Sequence, residues 1–140
     1  MKRFIRLLAV VMLAFLLVLP VFGTEIENGK VQPRWTQLSM LSCYMDVQTG
    51  LLSNAHFRST ASAKKPDSRL SMTVEIQKWN SGDYYNTGMA WSASADGAVQ
   101  IDQSVKLSAG QYRTITAVAV YTAEGSYLET VVAYSNSIVI

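Results

Sequence analysis

Apolar and polar side chains alternate with a period of two through most of the chain beyond residue 35. In the run over residues 70–77, Leu70, Met72, Val74 and Ile76 alternate with polar residues. Because successive side chains of a strand point to opposite faces, this pattern predicts a strand with one buried face. No window outside the N-terminus has an amphipathic helical pattern, so the sequence predicts an all-β domain.

Seven such runs follow one another, separated by turn signals. They cover residues 41–47, 54–63, 70–77, 88–95, 99–107, 112–121 and 127–140. We expect a bulge at 135–137 in the last run, and Asp96-Gly97 predicts a tight hairpin because both central positions of a type I′ turn need positive φ. This layout is typical of an antiparallel β-sandwich of immunoglobulin or fibronectin III type, with a jelly roll or small barrel as the alternative.

The first 23 residues have the features of a secretory signal peptide. Lys2, Arg3 and Arg6 precede an apolar run that Pro20 ends, and Gly23 supplies a small residue for cleavage. The run is shorter than the ~20 residues that span a membrane comfortably. We therefore predict a secreted protein that meets a membrane only during export, with an uncleaved anchor as the alternative.

The predicted organisation has three parts. A helical signal peptide covers residues 1–23, a flexible polar lead covers 24–34, and a single β domain covers 35–140. Cleavage after Gly23 removes three of the 12 basic residues and none of the 10 acidic ones, which leaves a net charge of −1. A nucleic-acid-binding protein needs a positive surface, so we expect no nucleic-acid partner.

Residue counts and spacing argue against an enzyme. The single His56 falls on the polar face of its run, where we expect it to be exposed, and no Gly-x-Ser-x-Gly motif accompanies it. The single Cys43 falls on an apolar face and indicates a buried, inert thiol, with an intermolecular disulfide as the alternative. One Cys and one His exclude a disulfide framework and most zinc sites, and the scattered acids form no calcium loop. We expect no catalytic residue, metal or cofactor.

The candidate ligand-binding feature is a group of aromatic residues around one predicted turn. Its members are Trp79, Tyr84, Tyr85 and Trp91. Neighbouring amides at Gln77, Asn80 and Asn86 would let exposed rings stack on a sugar or pack on a partner protein. Alternatively, the rings pair across the hairpin and cover the sheet.

A second candidate is a basic corner, formed by Arg58, Lys64, Lys65 and Arg69. Such a cluster would attract anionic wall polymers or lipid head groups. The alternative is an ordinary solvated loop.

Two resemblances bear on the fold. Leu107 lies five residues before Tyr112 at a turn into a Thr- and Val-rich strand, which resembles the tyrosine corner of fibronectin III domains. The layout of signal peptide, polar lead, Pro33-Arg34-Trp35 and residues 91–95 is similar to small exported proteins of Gram-positive gut-type bacteria, grouped as a domain of unknown function. That resemblance implies export and a β fold, and it implies no activity.

The sequence thus predicts a secreted, non-catalytic binding or structural module for a protein or a glycan. An alternative is a secreted effector such as a protease inhibitor or a toxin-like protein, in which the loop over residues 64–67 would present a cleavable bond. The pattern does not indicate an oligomeric state.

Overall fold

The computed structural model describes residues 35–140, so the predicted signal peptide and polar lead lie outside the described residues. The described chain forms eight strands: β1 (Leu38–Val47), β2 (Ala55–Ala63), β3 (Arg69–Asn80), β4 (Asp83–Asp96), β5 (Ala98–Val105), β6 (Gln111–Tyr121), β7 (Tyr127–Tyr134) and β8 (Ile138–Val139). No helix within this range is long and apolar enough to cross a membrane. The prediction of an all-β chain is confirmed for these residues.

The strands form two antiparallel sheets. One sheet has three strands in the order β1-β2-β5, and the other has five, in the order β4-β3-β6-β7 with β8 pairing with β6. Every strand pair within them is antiparallel. The chain therefore crosses between the sheets after β2, β4 and β5, which gives a two-layered, sandwich-like arrangement.

A single core lies between the two layers. Its buried apolar residues come from both sheets: Leu38, Met45, Ala55, Phe57, Ala61, Leu70, Met72, Val74, Ile76, Val99, Ile101, Leu107, Tyr112, Val118, Val120, Val131 and Ile138. In β6 every second residue is buried, as the period-two pattern predicts. Burying one face of each strand is the main source of stability in such a domain.

Three buried hydroxyls interrupt this apolar core. Ser59 and Thr116 share a hydrogen bond of 2.8 Å that joins the two layers. The Thr114 hydroxyl is also buried, and it has no hydrogen-bond partner in the described part of the chain. A paired hydroxyl fixes how the layers align, whereas an unpaired one only adds a desolvation cost.

Side chains of the five-stranded sheet fasten the free edge of β1. The Glu129 carboxylate accepts the backbone N–H groups of Gln37 at 2.7 Å and Leu38 at 3.2 Å. The Asn136 amide pairs with both backbone groups of Met45, at 3.0 Å and 2.7 Å. These contacts replace a neighbouring strand at both ends of β1, so its edge is partly closed.

The strands agree with the predicted runs except at several of their ends. The fourth run begins at Asp83 rather than at Gly88, because the strand continues through a bulge and pairs with β3 up to the turn. The last run divides into β7 and β8 around residues 135–137, where we expected an interruption.

The Asp96-Gly97 turn is not the hairpin that its sequence predicts. Its flanking strands β4 and β5 pair with β3 and β2, in different sheets. Gly97 has φ of +74°. A Cβ at this position would lie 2.8 Å from the Pro66 carbonyl oxygen. Glycine is therefore needed here for a sheet-to-sheet crossing that packs against the loop before β3.

Candidate functional site

The four candidate aromatic residues do not share one surface. Trp91 pairs with Val74 on the inner face of the five-stranded sheet, and its ring centroid is 5.0 Å from that of Phe57. Trp91 is partly buried against the core, so the structure separates it from the candidate surface. Trp79 and Tyr84 lie opposite each other on the outer face, with ring centroids 5.0 Å apart in an edge-to-face arrangement.

A bulge in β4 shapes the hairpin end of this surface. Glu75 pairs with Ala90 and Gln77 pairs with Asn86, so residues 87–89 all lie opposite Ile76. The Thr87 hydroxyl donates to the Ile76 carbonyl at 2.8 Å. Extra residues in one strand bend it and leave backbone unpaired. The bulge therefore opens a depression where a regular hairpin would be flat.

The depression is a pocket of about 450 Å³. It is lined by Lys78, Trp79, Asn80, Tyr85, Asn86 and Thr87. Trp79 lies on the outer face of the hairpin, whereas Tyr85 pairs with Lys78 on the opposite face, so the two rings border the pocket from different sides. Ligand sites are usually mostly apolar with a few polar groups that set orientation, and this lining contains both kinds of side chain.

An arginine and three aromatic rings continue the outer face away from the pocket. The Arg113 Cζ lies 4.0 Å from the ring centroid of Tyr84 and 4.2 Å from that of Tyr134. We call Trp79, Tyr84, Arg113 and Tyr134 the aromatic–arginine row. Both tyrosine rings are therefore close enough to the guanidinium for cation–π attraction.

A chain of hydrogen bonds through side-chain amides connects the row to the pocket. Arg113 Nε donates to Gln77 Oε1 at 2.9 Å, and Gln77 Nε2 donates to Asn86 Oδ1 at 2.8 Å. Asn86 Nδ2 then donates to Glu75 Oε2 at 2.9 Å. Because each side chain is hydrogen-bonded to the next, the chain fixes the position of Arg113 in the row relative to Asn86 in the pocket.

Sequence reasoning missed Arg113 and Tyr134. Arg113 interrupts the Thr- and Val-rich strand β6, and its odd-numbered position places it on the same outer face as Trp79. That parity was a usable signal for Arg113. Tyr134 joins the row only through the pairing of β7 with β6, which local sequence does not reveal.

The candidate basic corner is not assembled as a group of free cations. Arg58 lies within β2, and its guanidinium contacts Asp102 at 2.6 Å. Lys64 Nζ donates to the Trp35 carbonyl at 2.8 Å, and Arg69 lies 4.0 Å from Asp96. Of these basic residues, Lys64 and Lys65 lie in the loop after β2, whereas Arg58 and Arg69 lie in the strands β2 and β3.

His56 is held between two carboxylates rather than being exposed as expected. Its Nδ1 is 3.0 Å from Asp46 and its Nε2 is 2.7 Å from Asp102, and only 13% of the side chain is exposed. Hydrogen bonds from His56 and Arg58 hold the pKa of the Asp102 carboxyl below its ordinary value. We call Asp46, His56, Arg58 and Asp102 the charged cluster. The polar atoms of these four side chains contact one another.

The remaining candidate chemistry is limited in the described residues. Cys43 is half-buried rather than buried, and it forms no disulfide within residues 35–140. Over the same residues, no three His, Cys, Asp or Glu side chains are grouped so that they could hold a metal ion. The two ring nitrogens of His56 point to different carboxylates and do not converge on one point with them.

Comparison with protein-family models, with curated proteins and with solved structures finds no match to this chain. The resemblances to exported bacterial proteins and to fibronectin III domains therefore stay predictions. Function has to be inferred from the pocket and the side chains around it.

Proposed function

We propose that this chain is an exported, non-catalytic binding module whose ligand is a glycan held at the pocket beside Trp79. The observation that carries the proposal is the pairing of exposed rings with amides. Trp79 is 42% exposed and Tyr85 is 57% exposed. Asn80 and Asn86 line the same pocket. Sugar rings have apolar faces that stack on flat aromatic groups, and their hydroxyls pair with amides.

The concave shape favours a glycan over a partner protein. A stable protein interface buries about 800 Å² on each side around a central apolar cluster. Here Asn80, Asn86 and Thr87 line an open depression of about 450 Å³, a volume within the range for small ligands. A partner protein remains an outcome that the experiment below distinguishes.

We also propose that the domain is of immunoglobulin or fibronectin III type. The strand order supports this type. One sheet has the order β1-β2-β5 and the other β4-β3-β6-β7, which is the order of the corresponding strands in fibronectin III domains. Tyr112 is buried at the start of β6, as expected for the corner tyrosine. Its hydroxyl lies 3.0 Å from the Ser108 side-chain oxygen rather than on a backbone group, which is a departure from that pattern.

Export is proposed from the sequence features of residues 1–23. A positive start, an apolar run and a small residue at position 23 support it. A secreted module with a near-neutral charge after cleavage suits recognition by shape and stacking rather than by bulk electrostatics.

No contact in the described residues favours the protease-inhibitor alternative. The loop after β2 is drawn in by backbone hydrogen bonds, from Lys64 N to Gln37 O and from Gly97 N to Ser68 O, each of 2.8 Å. An inhibitory loop must instead protrude far enough to enter a protease cleft.

A glycan array with matched tyrosine variants tests the proposal. Protein purified after expression of the full chain is compared with Trp79→Ala, Tyr85→Ala and Tyr127→Ala. Tyr127 is 56% exposed, like Tyr85, but it lies at the opposite end of the five-stranded sheet. We expect about ten-fold weaker binding for the first two variants, since stacking on an aromatic ring contributes about 1–2 kcal/mol.

The Tyr127→Ala control should bind as the wild type does, and circular dichroism should show that all three variants are folded. Glycan binding that survives both pocket variants would place the site elsewhere. Failure to bind any glycan, with capture of a protein that depends on Trp79, would replace the glycan by a protein partner.

A further inference from the structure

The glycan site adjoins a cation that has no counter-ion in the described part of the chain. Arg113 forms no ion pair with any carboxylate of residues 35–140, whereas Arg58 contacts Asp102 at 2.6 Å. Arg69 also has an acid within reach, since Asp96 lies 4.0 Å away. Arg113 is thus the arginine whose charge the domain leaves without compensation.

The residue beneath Arg113 explains this imbalance. Gln77 occupies the cross-strand position next to Arg113, and its amide oxygen accepts from Nε without neutralising the guanidinium. The carboxylate of Glu75, two residues before Gln77 on β3, accepts from Asn86 instead. A half-buried cation that is held without a carboxylate costs free energy unless a counter-ion is supplied from outside.

The surroundings of the guanidinium limit how that counter-ion can bind. The ring centroids of Tyr84 and Tyr134 lie 4.0 Å and 4.2 Å from Arg113 Cζ, so the rings occupy part of its surface. Nε donates to Gln77, and the two terminal nitrogens have no hydrogen-bond acceptor among residues 35–140. These terminal N–H groups are the ones that bind a carboxylate or a sulfate through two parallel hydrogen bonds.

We propose that the ligand of this site is an acidic glycan, whose carboxylate or sulfate is held by Arg113 while a neighbouring sugar ring stacks on Trp79. Only the Tyr84 ring separates the two contacts, with its centroid 5.0 Å from that of Trp79 and 4.0 Å from Arg113 Cζ. The amide chain through Gln77 joins Arg113 to Asn86, which lines the same pocket as Trp79. This inference rests on the proposed glycan-binding function and names the ligand class for it.

Matched pairs of polymers test the inference directly. Protein from the full chain is titrated with polygalacturonic acid and its fully methyl-esterified form, and with dextran sulfate and dextran. The members of each pair differ in the anionic group and share the sugar chain. We expect the acidic member of one pair to bind at least about ten-fold more tightly than the neutral member, because a charge-assisted bidentate contact contributes about 1.5–3 kcal/mol. The pair that responds identifies carboxylate or sulfate.

Two arginine variants separate a built site from general attraction. Arg113→Gln should remove the preference for the acidic polymer. Arg69→Gln removes the same charge at an exposed position at the opposite end of β3, and it should leave the preference within about two-fold of wild type. Arg113→Lys keeps the charge but not the fork, so it should lose most of the preference even if Arg113→Gln unfolds.

The outcomes distinguish the two proposals. Equal binding of acidic and neutral polymers, with Trp79 still required, overturns the anionic ligand and leaves the glycan module standing. An equal loss in Arg69→Gln and Arg113→Gln also overturns it, since the attraction is then diffuse. If no glycan binds at all, the proposed function and the inference both fall.

Discussion

The two outer faces of the sandwich use their polar groups in different ways. On the three-stranded sheet, the charged cluster joins neighbouring strands, with His56 between Asp46 and Asp102 and Arg58 on Asp102. Each of these charges faces an opposite or complementary group within the cluster. Little hydrogen-bonding capacity of these four side chains is left for a ligand, and we expect the cluster to contribute to the stability of the domain.

On the outer face of the five-stranded sheet, part of the hydrogen-bonding capacity is not used within the described residues. Its aromatic–arginine row places a guanidinium between two rings and supplies amides rather than carboxylates beside it. Trp79 and Tyr134 also stay about half exposed, at 42% and 53%. The two faces therefore differ in charge pairing: the charged cluster neutralises its own charges, whereas Arg113 is hydrogen-bonded to an amide and has no carboxylate partner among residues 35–140.

The largest expected effect compares the two tryptophans of the five-stranded sheet. Trp91→Ala should lower the free energy of unfolding by about 2–4 kcal/mol, because the ring packs on Phe57 in the core. Trp79→Ala should cost about 1 kcal/mol or less, since the ring is 42% exposed on the outer face. Urea denaturation followed by circular dichroism measures both. Equal losses would mean that the outer row is as structural as the core.

Local patterning made the strands predictable from sequence. The alternation over residues 70–77 is a direct consequence of strand geometry, so the buried set Leu70, Met72, Val74 and Ile76 could be read without knowing what packs against it. Such features need only the neighbouring residues along the chain.

The site could be predicted only in part, because it depends on contacts between distant residues. The bulge that faces Ile76 changes which β4 residues lie opposite β3, and no local signal gave its position. Trp79 continues the odd-numbered outer face of β3, which the alternation along the strand indicates. The contact of Trp91 with Phe57 depends instead on how the other sheet packs. Likewise, Asn136 reaches Met45 from 91 positions away in the chain.

The next effect tests whether the charged cluster is structural. Asp102→Asn removes the carboxylate shared by His56 and Arg58, and it should lower the free energy of unfolding by about 1 kcal/mol, since the group is partly exposed. Asp67→Asn is a matched control in an exposed loop, and it should change stability by less than about 0.5 kcal/mol. Thermal unfolding measures both variants. The contrast fails if Asp102→Asn reduces glycan binding and leaves stability unchanged.

Acid should act on the charged cluster through the same carboxylate. Hydrogen bonds from His56 and Arg58 hold the folded pKa of Asp102 below its unfolded value. The stabilisation is therefore fully present above about pH 4, the usual range for an aspartate, and it is lost as the pH falls through the lower folded pKa. Unfolding measured from neutral to strongly acidic pH should show the wild type and Asp102→Asn converging at the acidic end.

Glu129 should add a second acid-dependent contribution. Burial raises the pKa of its carboxyl, but hydrogen bonds from the Thr36 hydroxyl and from the amides of residues 36–38 outweigh this and lower it. The Asp102→Asn variant therefore keeps part of the acid dependence, and Glu129→Gln should remove part of what is left. A gap between wild type and Asp102→Asn that stays constant down to the most acidic pH would contradict the assignment to Asp102.

The smallest expected effect separates the two faces by their response to salt. A double-mutant cycle of Arg113→Met and Tyr134→Leu should give a coupling of about 0.5 kcal/mol, the size expected for an exposed cation–π contact. The matching cycle of Arg58→Met and Asp102→Asn measures an ion pair at a partly exposed position. Raising the ionic strength screens the ion pair more than the short-range contact with a ring. The Arg58–Asp102 coupling should therefore fall with added salt while the Arg113–Tyr134 coupling changes little.

A coupling of zero between Arg113 and Tyr134 would mean that the ring does not hold the guanidinium in place. The proposal that Arg113 is fixed in position to bind an anion would then lose its physical basis.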